Sequence, residues 1–134
     1  MSTQIFVNLP VKDLQKSTDF YLGLGYTKNS AFSDDNASCI VVNEHIYVML
    51  LVERFFQTFT KKAICDSSTH TEAILALSTE SRQDVDALVN MAAAAGGSPS
   101  EESMDAGGMY SRSFQDLDGH HWEVFWMDLA AAGP

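Results

Sequence analysis

Residues able to do chemistry gather near the end of the chain, in Asp116-Leu117-Asp118-Gly119-His120-His121-Trp122-Glu123-Val124-Phe125-Trp126. A turn rich in Asp and Gly feeds a strongly apolar strand carrying one carboxylate, Glu123, and an unpaired buried carboxylate is very costly. Glu123 therefore points to water, sits in a cavity with a partner, or holds a cation. It is the catalytic candidate. His121, two residues earlier, falls on the same strand face and offers an imidazole beside it. No phosphate-cradling glycine loop or Ser-His-Asp arrangement stands out, because Gly96-Gly97 and Gly107-Gly108 read as turns.

The elements that must position these groups follow from periodicity. Ile5 to Val11 alternates as a strand, with Pro10 marking an edge or an end. Asp13 can cap a helix in which Leu14, Ser17, Tyr21 and Leu24 share a face and which Gly23 and Gly25 close. Tyr26–Phe32, Ala37–Asn43 and Ile46–Val52 read as three further strands, with Ser33 to Asn36 as a turn. Residues 53 to 69 form a long connection bearing Phe55, Phe56 and Phe59. Thr71–Ser78 is the next strand, Ser81 and Asp84 are a capping pair for a helix through Val85, Leu88, Val89 and Ala92, and Ser98 to Gly107 is a polar loop. Met109–Phe114 and His121–Met127 close the fold, and Ala130 to Pro134 is a frayed tail.

The two halves thus repeat the same order of elements, a strand and a helix closed by glycines followed by a hairpin and a last strand. The expected fold is α+β: two pseudosymmetric βαβββ units, about 4–52 and 71–128 with a connection at 53–70, forming a curved mixed sheet around a cavity with helices on its outer face. The 134 residues make one domain, 46% hydrophobic and 10% aromatic, which suits a packed globular protein. Eighteen acidic against eight basic residues give a formal charge of −10, a field that repels nucleic acid and anionic membrane surfaces. No apolar run is long enough for a bilayer span and the first residues lack a signal-peptide pattern, so the expected location is cytoplasmic, where Cys39 and Cys65 are ordinary small thiols.

Phe6-Val7-Asn8-Leu9-Pro10-Val11-Lys12-Asp13-Leu14, then Ser17, Phe20-Tyr21 and Leu24-Gly25, resemble the opening of the vicinal oxygen chelate superfamily of glyoxalase I, bleomycin resistance proteins and extradiol dioxygenases. Asp116-Leu117-Asp118-Gly119 followed by Glu123 resembles its closing motif. The likeness covers nearly the whole chain. It implies a ligand in the cavity and, in metal-dependent members, ligands at positions corresponding to Phe6, Tyr47 or Met49, Glu72 and Glu123. Only Glu72 and Glu123 keep ligand chemistry there, so the metal candidates are Glu72, Glu123 and His121, with either a divalent cation (Zn, Fe, Ni or Mn) or no metal.

Strand alternation assigns Phe6, Asn8, Tyr47, Met49, Glu72, Ile74, Tyr110, Arg112, Glu123 and Phe125 to the cavity face. Of these, Phe6, Asn8, Tyr47, Met49, Tyr110, Arg112 and Phe125 are the ligand-binding candidates. Arg112 is expected to pair with Glu123 or to meet an anionic group of the ligand. The expected function is small-molecule binding of the bleomycin-resistance type. The alternative is a metal-dependent lyase or isomerase resembling lactoylglutathione lyase, or a dioxygenase. Homodimerisation is expected, with Phe55, Phe56 and Phe59 at the contact.

Overall fold

The computed structural model describes residues 2–132, and the chain divides into two compact units, residues 1–66 and 67–134. Each unit builds its own mixed sheet. In the first, strand β1 (Ile5–Val11) leads to helix α1 (Leu14–Gly23), then β2 (Thr27–Asn29), β3 (Ala37–Val41) and β4 (Ile46–Val52), in the spatial order β1-β4-β3-β2. β1 runs parallel to β4, while β4 with β3 and β3 with β2 are antiparallel. Pro10 is accommodated because β1 is an edge strand of this sheet, where a missing N–H costs little.

The sequence builds α1 as expected. The Asp13 carboxylate accepts from the Lys16 backbone N–H, satisfying one of the free donors at the helix start. Ser17, Thr18, Phe20, Tyr21 and Leu24 are buried on its inner face. They pack on the sheet face of Leu9, Val11, Ile40, Val48 and Leu50, all of which are buried. The Thr18 hydroxyl within this layer donates to the Leu14 carbonyl at 2.7 Å, leaving the buried Ser38 hydroxyl, 2.7 Å away, to donate to Thr18.

Two details differ from the sequence reading. The strand expected over 26–32 ends at Asn29, whose side-chain oxygen accepts from the Ala31 N–H and turns the chain into a short 3-10 segment. The third strand stops at Val41, because the Asn43 side chain caps the His45 and Ile46 N–H groups and tightens the hairpin. After β4, the aromatic segment forms a helical turn, α2 (Glu53–Phe56), then a 3-10 turn through Phe59. Phe55 and Phe59 pack edge to face at 5.2 Å, and Phe59 remains 70% exposed.

The second unit repeats the topology. β5 (Ile74–Ser78) precedes helix α3 (Arg82–Ala94), two short strands β6 (Ser98–Pro99) and β7 (Met104–Ala106), then β8 (Met109–Gln115), β9 (His121–Met127) and a final turn α4 (Leu129–Ala132). Its order is β5-β9-β8-β6, with β5 parallel to β9 and β7 also paired to β8. First strand beside last strand, and that last strand beside the one preceding it, is the same arrangement as β1-β4-β3. Ser81 accepts from the Asp84 N–H to start α3, which buries Val85, Val89 and Ala92 against the side of the sheet carrying Phe114, Trp122 and Val124.

Three expectations are corrected here. The residues read as a polar loop, 98–107, contain β6 and β7. β5 begins only at Ile74, so Glu72 lies outside it, exposed in a bend. Ala130 to Ala132, read as frayed, belong to α4, whereas Gly133 and Pro134 of that expected tail lie outside the described residues.

Candidate functional site

The site is built on the face of the second sheet opposite α3. In the β8–β9 pair, Ser113 stands across from Glu123 and Ser111 across from Phe125. On the other flank of β9, Ala76 pairs with Glu123 and Ile74 with His121. Directly paired residues share a face, so Glu123 is bordered by a serine on one side and a small methyl on the other. His121 Nε2 and Glu123 Oε1 are 3.1 Å apart, which brings the imidazole and the carboxylate together as their spacing foretold. Both are half-buried, with side-chain exposures of 25% and 36%.

A tight turn holds this pair. The buried Asp116 carboxylate accepts from the backbone N–H groups of Asp118 and His120, and the Gly119 N–H donates to the Asp116 carbonyl. Gly119 adopts φ +88°, a conformation that glycine enters freely. Ser67 Oγ donates to the Asp118 carbonyl at 2.6 Å, tying the start of the unit to the same turn. The Asp-Leu-Asp-Gly motif therefore fixes where β9 begins and which of its residues face away from α3.

Tyr110 and Arg112 are not on this face. They share parity with Phe114 and look toward α3, where Arg112 Nη1 lies 3.0 Å from Asp86 Oδ1 and the Tyr110 hydroxyl donates to the same oxygen at 2.6 Å. Arg112 is thus paired with Asp86 and not with Glu123. The Tyr110 hydrogen bond, followed by that of Arg112, holds the Asp86 carboxyl below its ordinary range and pushes the Tyr110 phenol up. Beside them Arg82 donates to Asp105 from both terminal nitrogens, at 2.7 and 2.8 Å, while its guanidinium lies 5.3 Å from the ring centres of both Tyr110 and Trp126. Ser111 and Ser113 take the places expected of Tyr110 and Arg112. The signal for this lay in Phe114, a core aromatic of the same parity as Arg112.

In the first unit, Phe6, Asn8, Tyr47 and Met49 lie together on the face opposite α1. Phe6 pairs with Tyr47 and Asn8 with Met49. The Phe6 and Tyr47 rings stack at 4.5 Å and 8°. Cys39, paired with Met49, is buried on this face, and burial raises its thiol pKa. The same unit carries a polar cleft of about 440 Å³ elsewhere, lined by α1 residues with Lys28, Ser30, Ser33, Asp34, Asp35 and Ser38. None of the expected site residues lines it.

The donor set bears on metal binding. His121 and Glu123 supply two ligand groups, Glu72 stands exposed outside β5, and the Phe6 ring is occupied by stacking. Among the described residues no group of three His, Cys, Asp or Glu side chains is placed to hold a metal ion. Catalytic zinc sites take three protein ligands, so this set does not fit one.

The model of the glyoxalase/bleomycin resistance protein/dioxygenase superfamily matches residues 4–124. The chain belongs to that superfamily. A hypothetical protein from S. aureus is 31% identical, over 94% of this chain and 95% of its own, with a TM-score of 0.79. A glyoxalase-related enzyme from Fulvimarina pelagi is 22% identical over 94% and 88% (TM-score 0.77), and the fosfomycin resistance protein FosX from Listeria monocytogenes 19% identical over 98% of each chain (TM-score 0.70). These last two likenesses concern the fold. No curated protein matches the chain. Among the described residues, no helix of this superfamily member is long and apolar enough to cross a membrane.

Proposed function

We propose that this superfamily member binds a small organic molecule on the face of the second sheet opposite α3, with Glu123 as the anchoring group. The observation that carries the reading is the His121–Glu123 pair at 3.1 Å, half-buried on the α3-free face and flanked in register by Ser113. The pairing leaves carboxylate lone pairs for a ligand N–H or O–H, and Ser111 and Ser113 add hydroxyls that donate or accept. Phe125 and Ile74 supply apolar contact on the same face, the mixture common in small-molecule sites. The net charge of −10 favours a cationic or neutral ligand over an anionic one. Two protein donors support a metal-free site over the metal-dependent lyase, isomerase or dioxygenase alternative.

A thermal-shift screen of small organic cations and neutral compounds tests this. A compound at about a hundred times its Kd adds about 2.7 kcal/mol of stability. That gain should vanish in Glu123→Gln and shrink in Ser113→Leu. A panel that stabilises native chain and Glu123→Gln equally removes Glu123 from the site.

The same reading takes the two units as one domain of a cytoplasmic homodimer, with Phe59 at the contact. Its support is the 70% exposure of that ring, and a monomer in sedimentation at micromolar concentration would oppose it.

A further inference from the structure

The Phe6 and Tyr47 rings form the end of a row running across the first sheet. By register that row is Thr27, Val41, Tyr47, Phe6, with Val41 beside Tyr47 on its inner side. Parallel rings 4.5 Å apart on adjacent strands have their faces turned along the row. Phe6 stands on β1, the edge strand, so its outer ring face has no further strand of this sheet beside it, and the residue is 46% exposed.

The pair is held in place. The Tyr47 hydroxyl donates to the Glu44 carbonyl at 3.1 Å and lies 3.2 Å from Gln4 Nε2, which also donates to that carbonyl. One step along β1 on the same face, Asn8 Nδ2 donates to the Phe6 carbonyl, leaving its Oδ1 to accept. Two residues along a strand separate the platform from this acceptor by about 6.6 Å.

We propose that Phe6 and Tyr47 form a stacking platform for a planar, cationic aromatic molecule whose N–H group reaches Asn8 Oδ1. The inference goes beyond the reading of a ligand on the Glu123 face, because it names a separate site on the first sheet. A flat ring extends an existing two-ring stack with no reorganisation, a saturated ring of the same size does not, and a positive charge is favoured both by the ring face and by the net charge of the chain.

The test titrates proflavine, a flat aromatic cation, against the full chain by fluorescence, with anthracene carboxylate as the flat anion and cyclohexylammonium as the saturated cation. Native protein should prefer proflavine over both. Phe6→Ala should weaken it about tenfold, Phe6→Trp should retain it, and Asn8→Leu should weaken proflavine more than anthracene carboxylate. Circular dichroism confirms that each variant is folded. Absence of proflavine binding by native chain, or equal binding by native and Phe6→Ala, overturns the platform. If in the latter case screened compounds still lose their effect in Glu123→Gln, the ligand reading stands and only the platform falls. If Phe6→Ala instead turns a dimer into a monomer with proflavine binding unchanged, the ring serves a second copy and the proposal is wrong.

Discussion

Replacing Gly119 by Ala should damage the turn that starts β9, and its cost can be separated into two parts. At φ +88° a Cβ brings left-handed backbone strain of about 1–2 kcal/mol. That Cβ would also fall against the Ser67 carbonyl oxygen, 2.9 Å from its carbon and 3.2 Å from Ser68 Cα, where the obstacle is backbone. Relieving such an overlap costs a further ~1–3 kcal/mol. Gly25 is the internal control. It has a similar φ of +95° with nothing within 4 Å of the added carbon, so Gly25→Ala pays only the backbone strain. Urea unfolding followed by tryptophan fluorescence suits the comparison, because Trp122 is buried and stacks on Phe114. The difference between the variants should be at least about 1 kcal/mol, the minimum overlap cost. Equal losses would refute the close approach of residues 67–68 to the turn, and with it the account of how β9 is held.

Other consequences follow from single contacts. Thr18→Val strands the buried Ser38 hydroxyl and should cost about 1–3 kcal/mol in urea unfolding, with Ser38→Ala in the same background recovering part of it. Asp86, held below its ordinary pKa, contributes stability present at neutral pH and lost as pH falls through its folded value, so the gap between native and Asp86→Asn should close in acid. The carboxylate is 47% exposed, which keeps that gap under about 1 kcal/mol. Burial pushes the Tyr26 phenol up to about 12, so stability should fall as pH rises from about 10 toward 12, and Tyr26→Phe should flatten that slope. Among the described residues His121 and Glu123 are the donors brought together, so exhaustive dialysis against a chelator should leave the melting temperature unchanged; a clear drop would reinstate a metal.

Local patterns made much of this fold legible. Ile46–Val52 and the capping by Asp13 and Ser81 were readable because turn chemistry and apolar alternation agree within a few residues. The first-unit face of Phe6, Asn8, Tyr47 and Met49 was readable for the same reason. For Tyr110 and Arg112 the legible signal was Phe114, a core aromatic of the same parity. The serine opposite Glu123 follows from the β8–β9 register, which depends on a turn at 116–120 pairing Gln115 with His121, and a one-residue choice there inverts every side chain. Glu72 failed differently. Its alternation with Ile74 was real, but the strand ladder starts at Ile74 and leaves it in solvent. The clasp of Arg82 on Asp105 joins residues far apart in sequence, and β7 is too short to announce itself.

Amide chemical-shift mapping of the isotopically labelled chain, titrated with a compound that stabilises it, shows whether the ligand sits on the Glu123 face. Shifts should concentrate at Ser111, Ser113, His121, Glu123 and Phe125 and spare Val85 and Val89 of α3. Shifts confined to the polar cleft of Thr18, Lys28, Asp34 and Ser38, with Glu123 and Ser113 unmoved, would contradict that placement.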